Sequence, residues 1–191
     1  MTGRVTLLGG GPGDPDLITV AGLKALQRAD VIVYDRLVPL ALLDEAREGA
    51  ELIEVGKVPR GPFTPQERIN EILTEKATAG LDVVRFKGGD SFVFGRGGEE
   101  WLACQAAGIP VSIIPGVSSS IAAPELAGIP VTHRGVATGF TVVSGHVAPD
   151  AERNDVDWAG LATAGNTIVI RMGVKNLPEI TTALLDAGLD G

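Results

Sequence analysis

The sequence predicts an α/β fold: a mostly parallel sheet covered on both faces by helices, followed by a second, smaller α/β unit. Short apolar, strand-like runs alternate with helical patterns along most of the chain. Two glycine-rich stretches each follow such a run: Gly9-Gly10-Gly11-Pro12-Gly13-Asp14-Pro15, and Lys87 to Glu100. Glycines at that density have no use inside a strand or a helix. They suit loops whose backbone passes close to a ligand at the carboxyl edge of a sheet. Of 191 residues, 45% are apolar and only 4% aromatic, so the core must be built from Val, Ile, Leu and Ala.

The first strand is read at Val5 to Leu8. After the first glycine loop, Thr19 to Arg28 places Val20, Leu23 and Leu26 at helical spacing. Asp30 to Tyr34 is a second strand, ending at Asp35, and Leu40 to Ala46 a short helix. Glu51 to Val55 is a third strand, with Lys57 just past its end. Thr64-Pro65-Gln66-Glu67 reads as a helix start with Thr64 as cap, Pro65 at the first helical position and Glu67 completing a capping box. That helix stops at Gly80. Leu81 to Phe86 is strand four, and the helix after the long loop runs from Glu99 to Ala107. Val111 to Ile114 is strand five, followed by a helix from Ser118 to Ala127.

A first domain over 1–128 and a linker at 129–139, rich in Gly, Pro and Thr, follow from this reading. The second unit, 140–191, shows a strand (Phe140 to Ser144), a polar loop (Val147 to Asp157), a strand (Thr167 to Arg171) and a helix opened by Asn176-Leu177-Pro178-Glu179. Two strands do not make an independently stable sheet, so this unit is expected to be incomplete in the chain.

Composition excludes several classes. A formal net charge of −8 without a basic run argues against nucleic acid as partner. No apolar run approaches the ~20 residues of a membrane span. No secretory signal opens the chain, and a single cysteine, Cys104, allows no internal disulfide; both point to the cytoplasm. Cys104 lies in a helical pattern and reads as a small buried hydrophobe. Two histidines and that cysteine make no zinc site, so no metal is expected. Arg36, Lys57, Arg60 and Arg85 collect near the loops and strand ends, as do Lys87, Arg96, His133 and Arg134. Such a group can line a pocket for an anionic ligand, or be ordinary surface charge.

Gly9-x-Gly11 followed by Asp35 after strand two brings an NAD-dependent oxidoreductase into consideration. The third glycine is absent, Pro12 removes an amide that a pyrophosphate would use, and Asp14 and Asp16 put negative charge in its place. A ligand without phosphate suits the acids better.

At these residues the chain resembles the tetrapyrrole methylases, the S-adenosylmethionine-dependent family, and within it the uroporphyrinogen-III C-methyltransferase group. The resemblance is carried by VTLLGGGPGDP (Val5 to Pro15), ADVIVYDRLV (Ala29 to Val38), VGK (Val55 to Lys57) and KGGDSFVFGRGGEE (Lys87 to Glu100). It continues through IPGVSS (Ile114 to Ser119), AGIPVTHR (Ala127 to Arg134), SGH (Ser144 to His146) and Met172-Gly173. GRGGEE and GIPVTHR are the parts specific to that group.

The resemblance implies two α/β units with S-adenosylmethionine in the cleft between them. It implies cofactor contacts at Pro12, Gly88, Gly89, Asp90, Val93, Ser118, Ser119 and Met172, and proton acceptor and donor roles for Asp35 and Lys57. It further implies a homodimer that methylates uroporphyrinogen III at C2 and C7, giving precorrin-2 for sirohaem and cobalamin synthesis and leaving S-adenosylhomocysteine. Another precorrin methylase is the nearest alternative, and a non-catalytic ligand-binding module a further one. Three positions depart from the family pattern: Ser91 replaces a usual proline, Ser119 a commoner alanine, and Arg171 an aromatic.

The implied chemistry suits these residue types. Holding a methyl donor and acceptor in line is worth about 7–11 kcal/mol and needs no metal. Asp90 either bonds the cofactor or caps its own turn. Asp35 ends a buried strand, where it accepts a proton or forms a structural ion pair. Lys57 donates a proton, pairs with a propionate, or is a solvated strand end. Arg36, Arg96 and Arg134 are the candidates to face the carboxylates of a polyanionic substrate against the chain's own negative charge.

Overall fold

The computed structural model describes residues 2–56 and 64–190. They fall into two compact units, Met1–Ser119 and Ser120–Gly191. The first is built on five strands: β1 (Arg4–Gly9), β2 (Val31–Tyr34), β3 (Glu51–Glu54), β4 (Asp82–Lys87) and β5 (Val111–Ile114). All pair in parallel, in the order β3-β2-β4-β1-β5. Helices α1 (Val20–Leu26), α2 (Gln66–Thr78) and α3 (Gly97–Ala106) supply the crossovers, and α4 (Ser119–Leu126) follows β5.

Strand alternation sorts the core into two layers. Val5, Leu7, Val31, Val33 and Val83 face Ile69, Leu73 and Ala77 of α2 and Cys104 of α3. Leu8, Ile32, Val84 and Phe86 face Ala25 and Leu26 of α1. Burying one such aliphatic side chain contributes about 1.5–3 kcal/mol, so the scarcity of aromatics is offset by the number of aliphatics.

Thr19 caps α1, its Oγ1 accepting from the Gly22 amide at 3.1 Å. The helix thus begins well after the first glycine loop and does not aim its amino end from it. The expected Thr64 cap of α2 is corrected: Pro65 holds the cap position, and among the described residues no side-chain cap bond is made there. Proline's extended ψ of 151° ends the preceding segment where a helical φ alone would have let it join the helix. Leu40–Glu45 is a 3-10 helix rather than an α-helix, and Pro15–Leu17 adds a shorter 3-10 turn. The α3 helix opens at Gly97, two residues before the expected start.

The second unit pairs β6 (Phe140–Ser144) with β7 (Thr167–Arg171) in parallel. Helix α5 (Trp158–Thr163), absent from the sequence reading, lies between them. Asp157 caps it through the Gly160 amide at 2.9 Å, and Trp158 and Ala162 turn inward. They pack with Ile180 and Leu184 of α6 (Leu177–Asp186). Residues 129–139 hold a turn closed by the His133–Ala137 bridge. Among the described residues, no helix is long and apolar enough to cross a membrane.

Candidate functional site

The strand order of the first unit decides which loops meet. β1 lies between β4 and β5, so the loops after these three strands are neighbours at one carboxyl edge. The two glycine loops pair directly: the Gly89 amide donates to Gly11 O at 2.7 Å, and the Gly11 amide to Gly89 O at 3.1 Å. The turn after β5 packs against both. A Cβ on Gly116 would lie 2.2 Å from Gly89 O and 2.5 Å from the Gly9 carbonyl carbon, a space only glycine fits.

Asp90 ties this junction. Its Oδ1 accepts from the Phe92 amide at 2.8 Å, capping its own turn, and its Oδ2 accepts from the Gly116 amide at 3.1 Å. Each oxygen keeps a further lone pair for a ligand. Around it, Gly88 and Gly89 are half-buried, and Val93 lies exposed on the turn after Asp90. Pro12 is half-buried in the first loop, and Ser118 and Ser119 precede and begin α4. Gly89 has φ +66°, and a Cβ there would meet nothing nearer than Ser119 Oγ at 3.8 Å. The edge therefore offers a cradle lined by backbone and hydroxyl groups, which fits a ligand bound without phosphate.

Backbone strain falls on two of the candidates, Arg96 and Met172. Phe94, Arg96 and Met172 are the positive-φ residues other than glycine among the described residues, at 54°, 57° and 56°. Each such conformation costs on the order of 1–3 kcal/mol and persists where the surroundings impose it. Met172 follows β7 in the second unit and is 54% exposed. Beside it, Arg171 donates to Ser120 Oγ at 3.1 Å. Ser144 Oγ, at the end of β6, and His146 Nδ1, just past it, are 2.7 Å apart.

Beneath the edge, on the α2/α3 face, lies a charged cluster the sequence reading did not assemble. Glu100 is fully buried, and its Oε1 accepts from Arg85 Nε and from Lys87 Nζ, each at 2.9 Å. Gln66 Nε2 reaches the same oxygen at 3.4 Å. Arg85 also donates to the carbonyls of Val33 (3.3 Å) and Phe86 (3.2 Å), and its Nη2 stands 3.6 Å from Asp35 Oδ2. Burial, and then the charge of Arg85, holds the Lys87 ammonium below its ordinary value. Arg85 and Lys87 are thus interior groups that share the carboxylate of Glu100, not the lining of an open anion pocket. Two periodicities put each of these residues on a buried face, though not in contact with one another. Arg85 and Lys87 continue the inward face of Val83 along β4, and Glu100 sits one turn before the buried Cys104.

Asp35 is half-buried past the end of β2, its Oδ1 accepting from the Leu37 amide at 3.0 Å. Lys57 and Arg60 lie outside the described residues. Arg36 is 3.7 Å from Glu54. Arg96 forms a two-pronged pair with Glu99, 2.7 Å at both contacts, and this bonding holds the Glu99 carboxyl below its ordinary value. Arg134 is exposed.

Residues 4–191 match the family model of the tetrapyrrole (corrin/porphyrin) methylases. A uroporphyrinogen-III C-methyltransferase from Methanocaldococcus jannaschii is 56% identical over 185 residues, covering 97% of this chain and 76% of that protein. The crystal structure of a uroporphyrin-III C-methyltransferase from Thermus thermophilus complexed with S-adenosylhomocysteine superposes with a TM-score of 0.80 at 42% identity, over 98% of this chain and 78% of that one. A cobalt precorrin-4 methyltransferase superposes with a TM-score of 0.85 at only 28% identity, over 98% and 76%. Backbone likeness does not separate the last two, and sequence identity does. The chain belongs to the tetrapyrrole methylase family.

Proposed function

We propose that the chain is an S-adenosylmethionine-dependent C-methyltransferase that converts uroporphyrinogen III to precorrin-2 by methylation at C2 and C7, for sirohaem and cobalamin synthesis. The observation that supports it most is the identity pattern: 42–56% to uroporphyrinogen methylases against 28% to the cobalt precorrin-4 enzyme. Bound S-adenosylmethionine supplies an electrophilic methyl group with its own leaving group.

The residues named for the cofactor are Pro12, Gly88, Gly89, Asp90, Val93, Ser118, Ser119 and Met172. The glycines let backbone approach it, and Asp90 holds the loops at a fixed spacing while offering a free lone pair. Asp35 takes the proton lost after carbon methylation, and Lys57 donates one. Arg36, Arg96 and Arg134 face substrate carboxylates, with Arg96 leaving Glu99 to do so. The enzyme acts as a homodimer, as the family resemblance implies, and in the cytoplasm, as its single cysteine suggests.

Calorimetric titration with S-adenosylhomocysteine, with NAD as control, tests the cofactor. Binding of the first and not the second is expected, and the reverse would reduce the likeness to one of fold. Replacing Asp35 by alanine is expected to cost about 10²–10⁴-fold in turnover, the usual contribution of a positioned base. Normal turnover by that variant would remove Asp35 from proton transfer.

A further inference from the structure

Glu100 is a buried carboxylate that the proposed chemistry leaves without a task. Its Oε1 gathers Arg85, Lys87 and Gln66, while its Oε2 is buried without a partner among the described residues. A buried acid retained for stability alone is expected to use both oxygens, because an unsatisfied one is costly. Buried ion clusters are in any case a poor source of stability compared with apolar packing. What the cluster does achieve is geometric. Nε and Nη1 of Arg85 are committed to Glu100, Val33 and Phe86, so its plane is fixed. Its Nη2 then stops 3.6 Å from Asp35 Oδ2, outside hydrogen-bonding range.

A guanidinium without Glu100 would have Asp35 as its nearest carboxylate. It would close on it as a direct, two-pronged pair, the geometry arginine prefers. A base so paired has its lone pairs occupied and is poorly placed to take a proton. We propose that Glu100 is a positioning residue for Asp35: it holds Arg85 back, so that Arg85 orients the Asp35 carboxylate without sealing it. The inference rests on the reading of Asp35 as proton acceptor.

The test compares Glu100→Gln and Glu100→Asp in the full chain. Glutamine keeps the size of the side chain but loses the charge that holds Arg85 back, and aspartate keeps the charge on a shorter arm. Each variant is first titrated with S-adenosylhomocysteine, then assayed anaerobically with uroporphyrinogen III. For Glu100→Gln the expected result is unchanged S-adenosylhomocysteine affinity, unchanged KM and a kcat lowered about tenfold or more, the pattern of an effect confined to the reacting step. Glu100→Asp should recover part of the loss. Normal kcat in Glu100→Gln would overturn the proposal. Loss of cofactor binding and turnover together in both variants would also overturn it, by showing that Glu100 only supports the fold. Failure of the unaltered chain to methylate uroporphyrinogen III would instead defeat the functional reading, a distinct outcome.

Discussion

Gly116 carries the constraint that matters most to the candidate site at the residue scale, because three loops converge on it. Its replacement by alanine drives a Cβ into the Gly89 carbonyl and is expected to cost at least about 1–3 kcal/mol, read as a lower denaturant midpoint, together with weakened S-adenosylhomocysteine binding. A variant with unchanged midpoint and affinity would show that the loops do not meet this way. Arg96 gives a second test. Its alanine variant should raise the KM for the polyanionic substrate and flatten its salt dependence, whereas Glu99→Gln, which releases Arg96, should lower KM. An unchanged salt dependence in Arg96→Ala would place Arg96 outside the pocket. Burial pushes the Cys104 thiol from an ordinary 9.0 up to about 11, with the Glu100 charge adding to it. The native chain should therefore resist thiol reagents near neutral pH. Because the folded value is raised, the thiol's contribution to stability is complete below pH about 9 and is lost as pH climbs toward about 11. A Cys104→Ala variant should lack that alkaline loss, and parallel stability curves would contradict it. The glycine loops, and the place of Asp35 just past β2, were legible in the sequence because glycine density and the end of an apolar run announce them. Glu100 was not. Its meaning comes from facing Arg85 and Lys87 across the helix–sheet contact, and local spacing does not report that pairing.

Elements were legible where local chemistry and tertiary packing agree. The α1 helix has both a capping threonine and an apolar stripe, and it forms where expected. Thr19→Ala should cost about 1 kcal/mol, the usual worth of such a cap, measured by chemical denaturation. No change would mean that packing alone holds the helix start. Packing is worth more: Leu73→Ala, deep in the α2 contact, should cost about 2–5 kcal/mol by the same measurement. Thr64-Pro65-Gln66-Glu67 misled because several start signals crowd into four residues and only one register can be used. The α5 helix was missed because its six residues are too few for periodicity to stand out, even though Asp157 caps it and Trp158 anchors it.

Across the whole molecule, strand order turns separated motifs into neighbours. Nothing in the spacing of GPGDP, KGGD and IPGVSS says that they touch; the order β4-β1-β5 does. The alternation of strands and helices made the parallel sheet readable, but not that order, because which strands become neighbours depends on packing between distant segments. The −8 net charge poses a problem at this same scale, since the proposed substrate is itself a polyanion. The proposed answer is local, in Arg36, Arg96 and Arg134; Arg85 and Lys87 do not contribute, being interior partners of Glu100, and Arg96 is paired with Glu99.

The measurement that bears most directly on the central claim is anaerobic turnover of uroporphyrinogen III with S-adenosylmethionine, followed by mass spectrometry of the tetrapyrrole. A product carrying two added methyl groups, with S-adenosylhomocysteine formed in step, is the expected result. An unmodified tetrapyrrole from a chain that binds S-adenosylhomocysteine would contradict the claim and direct the search to a different corrinoid acceptor.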